Sequence, residues 1–78
     1  MGKKVLITAA AGGIGKAIAE RFIENGDKVF ICDIAVESVK AISASHKNIG
    51  GCVADLSNMS DVEEFIKQGV EFLGGVDV

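Results

Sequence analysis

No proline occurs in this 78-residue chain, and only two of its residues are cysteine. Without proline, no helix carries an internal breaker. Cys32 and Cys52 are too few and too far apart for a metal site or a disulfide framework. Each falls inside an apolar strand pattern, so small buried thiols are expected. No apolar run approaches the ~20 residues that a membrane helix needs. Met1-Gly2-Lys3-Lys4 leads straight into a strand pattern and lacks the apolar stretch and cleavage site of a secretory signal. Basic charge is not in excess either. The net charge is −3, which gives no reason to expect a nucleic-acid partner. A cytoplasmic address with no membrane partner is the resulting expectation.

What is present argues for a packed core. Hydrophobic residues make up 49% of the chain, well away from the composition of disordered segments. The length allows one small domain, residues 1–78. The stretch that organises it is Thr8-Ala9-Ala10-Ala11-Gly12-Gly13-Ile14-Gly15. It follows the apolar run Val5-Leu6-Ile7 and precedes a helical pattern. Glycine has no Cβ, so a chain there can turn tightly and let a bulky anion approach. The following helix offers unpaired N–H groups and the positive end of its dipole. Strand, glycine turn and helix together form a cradle for a pyrophosphate.

The rest of the chain continues the alternation. Lys4 to Ala9 reads as a strand, apolar on consecutive residues as in parallel strands covered on both faces. Gly13 to Asn25 reads as a helix with Ile14, Ala17, Ile18 and Phe22 on its apolar side. Asn25-Gly26 stops it. Lys28 to Asp33 is a second strand, and Ala35 to Ser45 a weaker helix with Ala35, Val39 and Ile42 on one side. Ile49 to Ala54 is a third strand containing Gly50-Gly51. Turn and cap residues from Ser57 to Ser60 precede a helix that runs to Leu73. Its stripe is Val62, Phe65, Ile66, Gly69, Val70 and Leu73. Gly74-Gly75 closes it, and Val76-Asp77-Val78 starts a fourth strand.

The order β-α-β-α-β-α-β implies an α/β fold with a parallel sheet and right-handed crossovers. A doubly wound sheet of this kind has strand order 3-2-1-4. The first two helices then cover one face and the third stands alone on the other. Apolar surface is therefore expected to remain exposed on that second face, and the sheet reads as incomplete, the front of a larger domain.

Ligands of such sheets bind beyond the carboxyl ends of the strands. Asp33 lies there, 18 positions after Gly15, near the spacing at which an acid accepts both ribose hydroxyls of an adenine nucleotide. A carboxylate there also repels a 2′-phosphate. No Lys or Arg stands among Ala9 to Ile14, or at Ile34 or Ala35, to pair with one. NAD over NADP follows. A helix N-cap or strand-end turn is the lesser reading of Asp33, and the roles can coexist. Asp55-Leu56 comes next along the same edge. Its carboxylate suits an adenine amino group and its leucine the ring, while a turn role for Asp55 stands equally open.

In combination, Thr8 to Gly15, Asp33, Asp55-Leu56 and Gly75-Val76-Asp77-Val78 resemble the amino-terminal half of a short-chain dehydrogenase/reductase, a Rossmann-like fold. The family turn reads Thr-Gly-x-x-x-Gly-x-Gly. Thr8, Gly13 and Gly15 match it, and Ala9 departs where the first Gly is usual. Gly12 also permits the spacing of the family's extended branch, whereas Gly75-Val76-Asp77-Val78 favours the compact one. The resemblance covers the whole chain. It implies that Thr8, Ala10, Gly12, Gly13, Ile14 and Gly15 line the pyrophosphate side of NAD. It also implies that Asp33 holds the adenosine ribose, that Ile34 flanks the adenine, and that Asp55 and Leu56 complete the adenine pocket.

The chemistry so implied is hydride transfer between NAD(H) and a small-molecule alcohol or carbonyl, in a full-length homo-oligomer. Its general acid–base residue is a Tyr assisted by a Lys. This chain contains no Tyr, so no catalytic residue is assigned and the chain alone is expected to be inactive. His46 and the serines 43, 45, 57 and 60 read as capping or solvated groups. Asp61, Glu63 and Glu64 suit the first turn of the third helix. Phe22, Phe65 and Phe72 read as packing residues. The alternative readings are a non-catalytic nucleotide-binding or interaction module, and an inactive truncated fragment.

Overall fold

The computed structural model describes residues 2–8 and 13–78, with Gly13 and Ile14 as backbone alone. β1 (Lys4–Thr8), α1 (Gly13–Glu24), β2 (Lys28–Asp33), α2 (Val36–Ser43), β3 (Ile49–Val53) and α3 (Met59–Leu73) follow in that order. Each lies within about two residues of its expected bounds, the usual uncertainty of element ends. β1 pairs with β2 and β2 with β3, both in parallel, giving a three-stranded sheet in the order β1-β2-β3.

Successive side chains of a strand point to opposite faces, so the run Val29-Phe30-Ile31-Cys32 of β2 feeds two cores. On one face Val29 and Ile31 join Val5, Ile49, Ala19 of α1, and Val39 and Ile42 of α2. On the other, Phe30 and Cys32 join Ala54 and, from α3, Phe65 and Leu73. The first two helices thus share one face and the third stands on the other. Full burial on both faces holds for β2 alone. β1 and β3 are only partly covered, because each has a single strand neighbour in the sheet.

The apolar face of α1 differs from expectation. Ala19 is fully buried, with Phe22 and Ile23 packed against the same core, while Ala17 is exposed and Ile18 is 45% exposed. The sheet-facing residues are Ala19, Phe22 and Ile23. Of the expected apolar residues Phe22 therefore packs on the core and Ala17 and Ile18 do not, and the small Ala19 takes the fully buried place. In α2, Ala35 is an exposed N-cap rather than a packed residue, and Val39 and Ile42 carry the burial.

α3 starts on a built cap. The Asn58 side chain accepts from the N–H groups of Ser60 and Asp61, satisfying two of the donors that a helix start leaves open. It ends at Gly74, whose φ of 77° is the left-handed conformation that glycine adopts readily. The expected stripe divides. Phe65, Gly69 and Leu73 are buried, whereas Ile66 and Val70 are 47% and 42% exposed. A Cβ on Gly69 would run into Leu6, and one on Gly50 would sit 2.8 Å from the Phe72 ring. These glycines let α3 approach the sheet. Phe30 stacks on Phe65 at 5.8 Å and tilts against Phe72 at 5.5 Å, so both α3 phenylalanines are packing residues.

Val76–Val78 is not a strand, and the order 3-2-1-4 is not established. The segment nevertheless bonds β1. Lys4 O accepts from Asp77 N–H (2.7 Å) and Val78 N–H (3.1 Å), and Leu6 N–H donates to Val78 O at 2.8 Å. Asp77 also accepts the Lys4 N–H through Oδ2 at 2.9 Å. Lys3 O, by contrast, accepts from Lys28 N–H of β2. Neighbouring peptide groups of a strand point to opposite edges, so Val76–Val78 lies on the edge of β1 away from β2.

Candidate functional site

Parallel pairing brings the carboxyl ends of β2 and β3 side by side, with Asp33 opposite Val53. Ala54 N–H donates to Asp33 O at 3.1 Å, which extends the pairing one residue past β3. Beyond it the two chains diverge and a pocket of about 230 Å³ opens between them, lined by Cys32, Asp33, Ile34, Ala54, Asp55, Leu56 and Ser57. That is below the ~300–1,000 Å³ of pockets that enclose a whole drug-sized ligand. It offers room for one ring system rather than a dinucleotide.

Four residues expected at the site, Asp33, Ile34, Asp55 and Leu56, line this one pocket. Cys32, Ala54 and Ser57 are additions. Thr8 ends β1 opposite Cys32. Gly13 opens α1, with Ile14 and Gly15 in its first turn, so the helix starts beside the glycines. Ala10 and Gly12, like Ala9 and Ala11, lie outside the described residues.

The two carboxylates are held differently. Asp33 Oδ1 accepts from Ala35 N–H at 3.2 Å, a turn across the start of α2. Its Oδ2 has no hydrogen-bond partner among the described residues. Asp55 Oδ1 accepts twice from Ser57, from the N–H at 2.9 Å and from the hydroxyl at 2.6 Å. The hydroxyl bond, and after it the N–H bond, hold the Asp55 carboxyl below the usual carboxylate range. The Asp55 main chain is pinned as well. Its N–H donates to Asp61 Oδ2 at 2.9 Å and its C=O accepts from Asn58 N–H at 2.9 Å. Asp61 therefore does more than face the helix dipole. It ties the first turn of α3 to the pocket wall.

Around these acceptors the lining is apolar. Cys32 and Ala54 are buried, and Ile34 and Leu56 are 66% and 46% exposed at the rim. An ionised carboxylate accepts hydrogen bonds and cannot donate. The acceptor set thus suits a flat, partly apolar ligand that carries hydroxyl or amino donors. No Lys or Arg lines the pocket.

The remaining polar groups have local roles. His46 Nδ1 accepts from Asn48 N–H, and Ser45 Oγ donates to Ile42 O. Ser43 departs from the expected solvated role: its Oγ is buried and lacks a partner among the described residues. Cys52 is half-buried. Burial chiefly, then Cys32, Glu64 and Asp61, pushes its thiol up from the ordinary value, which disfavours the thiolate. Among the described residues no group of three or more His, Cys, Asp or Glu is placed to hold a metal ion, and no helix is long and apolar enough to cross a membrane.

Comparison with known proteins agrees with this geometry. A family model described as short chain dehydrogenase matches residues 3–78. A short chain dehydrogenase/reductase of Gibberella zeae is 46% identical over 66 residues, covering 81% of this chain and 24% of that protein. A (2S)-[(R)-hydroxy(phenyl)methyl]succinyl-CoA dehydrogenase subunit of Thauera aromatica is 40% identical over 77 residues, covering 94% of this chain and 31% of that one. Among solved structures, a 3-ketoacyl-(acyl-carrier-protein) reductase from Brucella melitensis complexed with NADH superposes with a TM-score of 0.93. It is 31% identical and the match covers 97% of this chain and 32% of that one. The chain therefore spans about a quarter to a third of the length of these proteins.

Proposed function

The chain belongs to the short chain dehydrogenase family, and from that premise we propose that residues 1–78 form the amino-terminal, NAD-binding part of a single dehydrogenase or reductase domain. The observation that carries this reading is the pocket where Asp33 and Ile34 meet Asp55 and Leu56. Asp33 holds the adenosine ribose, and Ile34 and Leu56 flank the adenine. Asp55 accepts from the adenine amino group. Thr8, Ala10, Gly12, Gly13, Ile14 and Gly15 take the pyrophosphate at the start of α1, where open N–H groups favour an anion. When bound, NAD supplies the hydride acceptor, or NADH the donor, for an alcohol–carbonyl interconversion on a small molecule.

NAD rather than NADP is supported by charge. Asp33 repels a 2′-phosphate, and the pocket lining has no cation to offset that repulsion. The chain holds no Tyr, so its contribution is nucleotide grip rather than proton transfer. We further propose that the full-length protein is a homo-oligomer and that Val76–Val78 begins its fourth strand. The purified 78-residue chain is expected to show no turnover of NAD with alcohol substrates.

Calorimetric titration with NAD, NADP and AMP tests the assignment. Asp33→Ala is expected to weaken NAD about tenfold, the scale of a charge-assisted hydrogen bond, and NADP far less. Equal losses for both cofactors would remove Asp33 from the ribose, and absence of NAD binding by the unaltered chain would overturn the reading itself.

A further inference from the structure

We propose that Ser57 is a positioning residue through which the pocket distinguishes an amino from an oxo group on the edge of its purine. The inference rests on the reading that adenine lies in this pocket. Its basis is the way the Asp55 carboxylate is partitioned. Oδ1 is occupied twice, by the Ser57 N–H at 2.9 Å and the Ser57 hydroxyl at 2.6 Å. Oδ2 has no partner among the described residues. The main chain that carries Asp55 is held on both sides, by Asp61 Oδ2 at its N–H and by Asn58 N–H at its C=O. The backbone is therefore set by α3, and the remaining freedom of the carboxylate is rotation about its own side-chain bonds. Ser57 removes that rotation by holding one oxygen.

What is left is a single acceptor oxygen on a residue that lines the pocket together with Cys32, Ala54 and Leu56. An ionised carboxylate presents lone pairs only, and the two bonds from Ser57 favour the ionised form. Such an oxygen attracts the exocyclic amino group of adenine. It repels the oxo group that hypoxanthine carries at the same ring position, because two acceptors then face each other. Ser57 need not touch the ligand to set this selectivity. It acts through the orientation of Asp55.

The test compares the dissociation constants of NAD and of its hypoxanthine analogue for the unaltered chain, Ser57→Ala and Ser57→Thr. The unaltered chain is expected to prefer NAD by about tenfold or more. Ser57→Ala keeps the N–H bond and loses the hydroxyl bond. The preference should then shrink by about fivefold or more, the scale of a hydrogen bond to a charged group. Ser57→Thr keeps a hydroxyl at the same place and should restore the preference, which a merely structural role would not predict. Equal weakening of both ligands by Ser57→Ala, or no change in either, overturns the inference alone, because NAD binding would persist. Failure of the unaltered chain to bind NAD overturns the functional reading and this inference together.

Discussion

Asp55 shows how a residue at the end of a strand acquires a definite protonation state. Two bonds from Ser57 favour its ionised form, so its pKa when folded lies below that of the unfolded chain. The stabilisation this brings is present above the unfolded value, about 3.9, and is lost as pH falls through the folded one. Removing the stronger of the two bonds should raise the folded value. A carboxyl-carbon NMR titration is therefore expected to place the Asp55 midpoint higher in Ser57→Ala than in the unaltered chain. An unchanged midpoint would mean that the hydroxyl bond does not persist in solution.

Asp33, Ile34, Asp55 and Leu56 were legible in the sequence because a rule of topology puts residues that follow parallel strands at one edge. Ser57 reads as turn, capping or solvated material, yet the spacing Asp-x-Ser is itself a signal for a side chain bonding the main chain two residues on. Asp61 was legible only as an acid at a helix start. Its bond to Asp55 N–H joins residues six apart through a turn, and no periodicity reports that.

At the scale of elements, caps were easier to read than faces. Turn and cap residues were expected between Ser57 and Ser60, and Asn58 is the cap. Asn58→Ala should destabilise the chain by about 1 kcal/mol in a urea unfolding series, since the Ser60 and Asp61 N–H groups lose their acceptor. A loss well under that would show that water replaces the side chain. The α1 face differs in part from its periodicity because periodicity weighs bulk, whereas the fully buried residue of this helix is the small Ala19. The same logic explains Gly69 on α3. Placed against Leu6 of β1, it has no room for a methyl group. Gly69→Ala gains helix propensity of up to about 1 kcal/mol, but overpacking costs typically ~1–3 kcal/mol. The melting temperature is therefore expected to fall, and a rise would mean that Leu6 yields at no cost.

For the molecule as a whole, the two faces of the sheet are unequally covered. α1 and α2 close one core, while α3 alone covers the other and leaves two of its six stripe residues, Ile66 and Val70, exposed. The sequence carried this asymmetry in the order of its elements, but not which residues of the stripe are spent. Phe65 is 3% exposed and stacks on Phe30, whereas its neighbour Ile66 is 47% exposed. One residue apart on a helix, they differ in direction by about 100°. Phe65→Ala should cost about 3–5 kcal/mol through lost burial and the cavity left behind. Stabilities of roughly 0.05–0.15 kcal/mol per residue make that a large share of the total for a chain this short. The cooperative thermal transition should weaken severely or disappear. Ile66→Ser removes a side chain already half in water and should cost about 1 kcal/mol or less. If the two substitutions cost the same, Ile66 is covered in solution, and the Ile66–Val70 edge of the α3 face is not the free surface that the order of the helices leaves open.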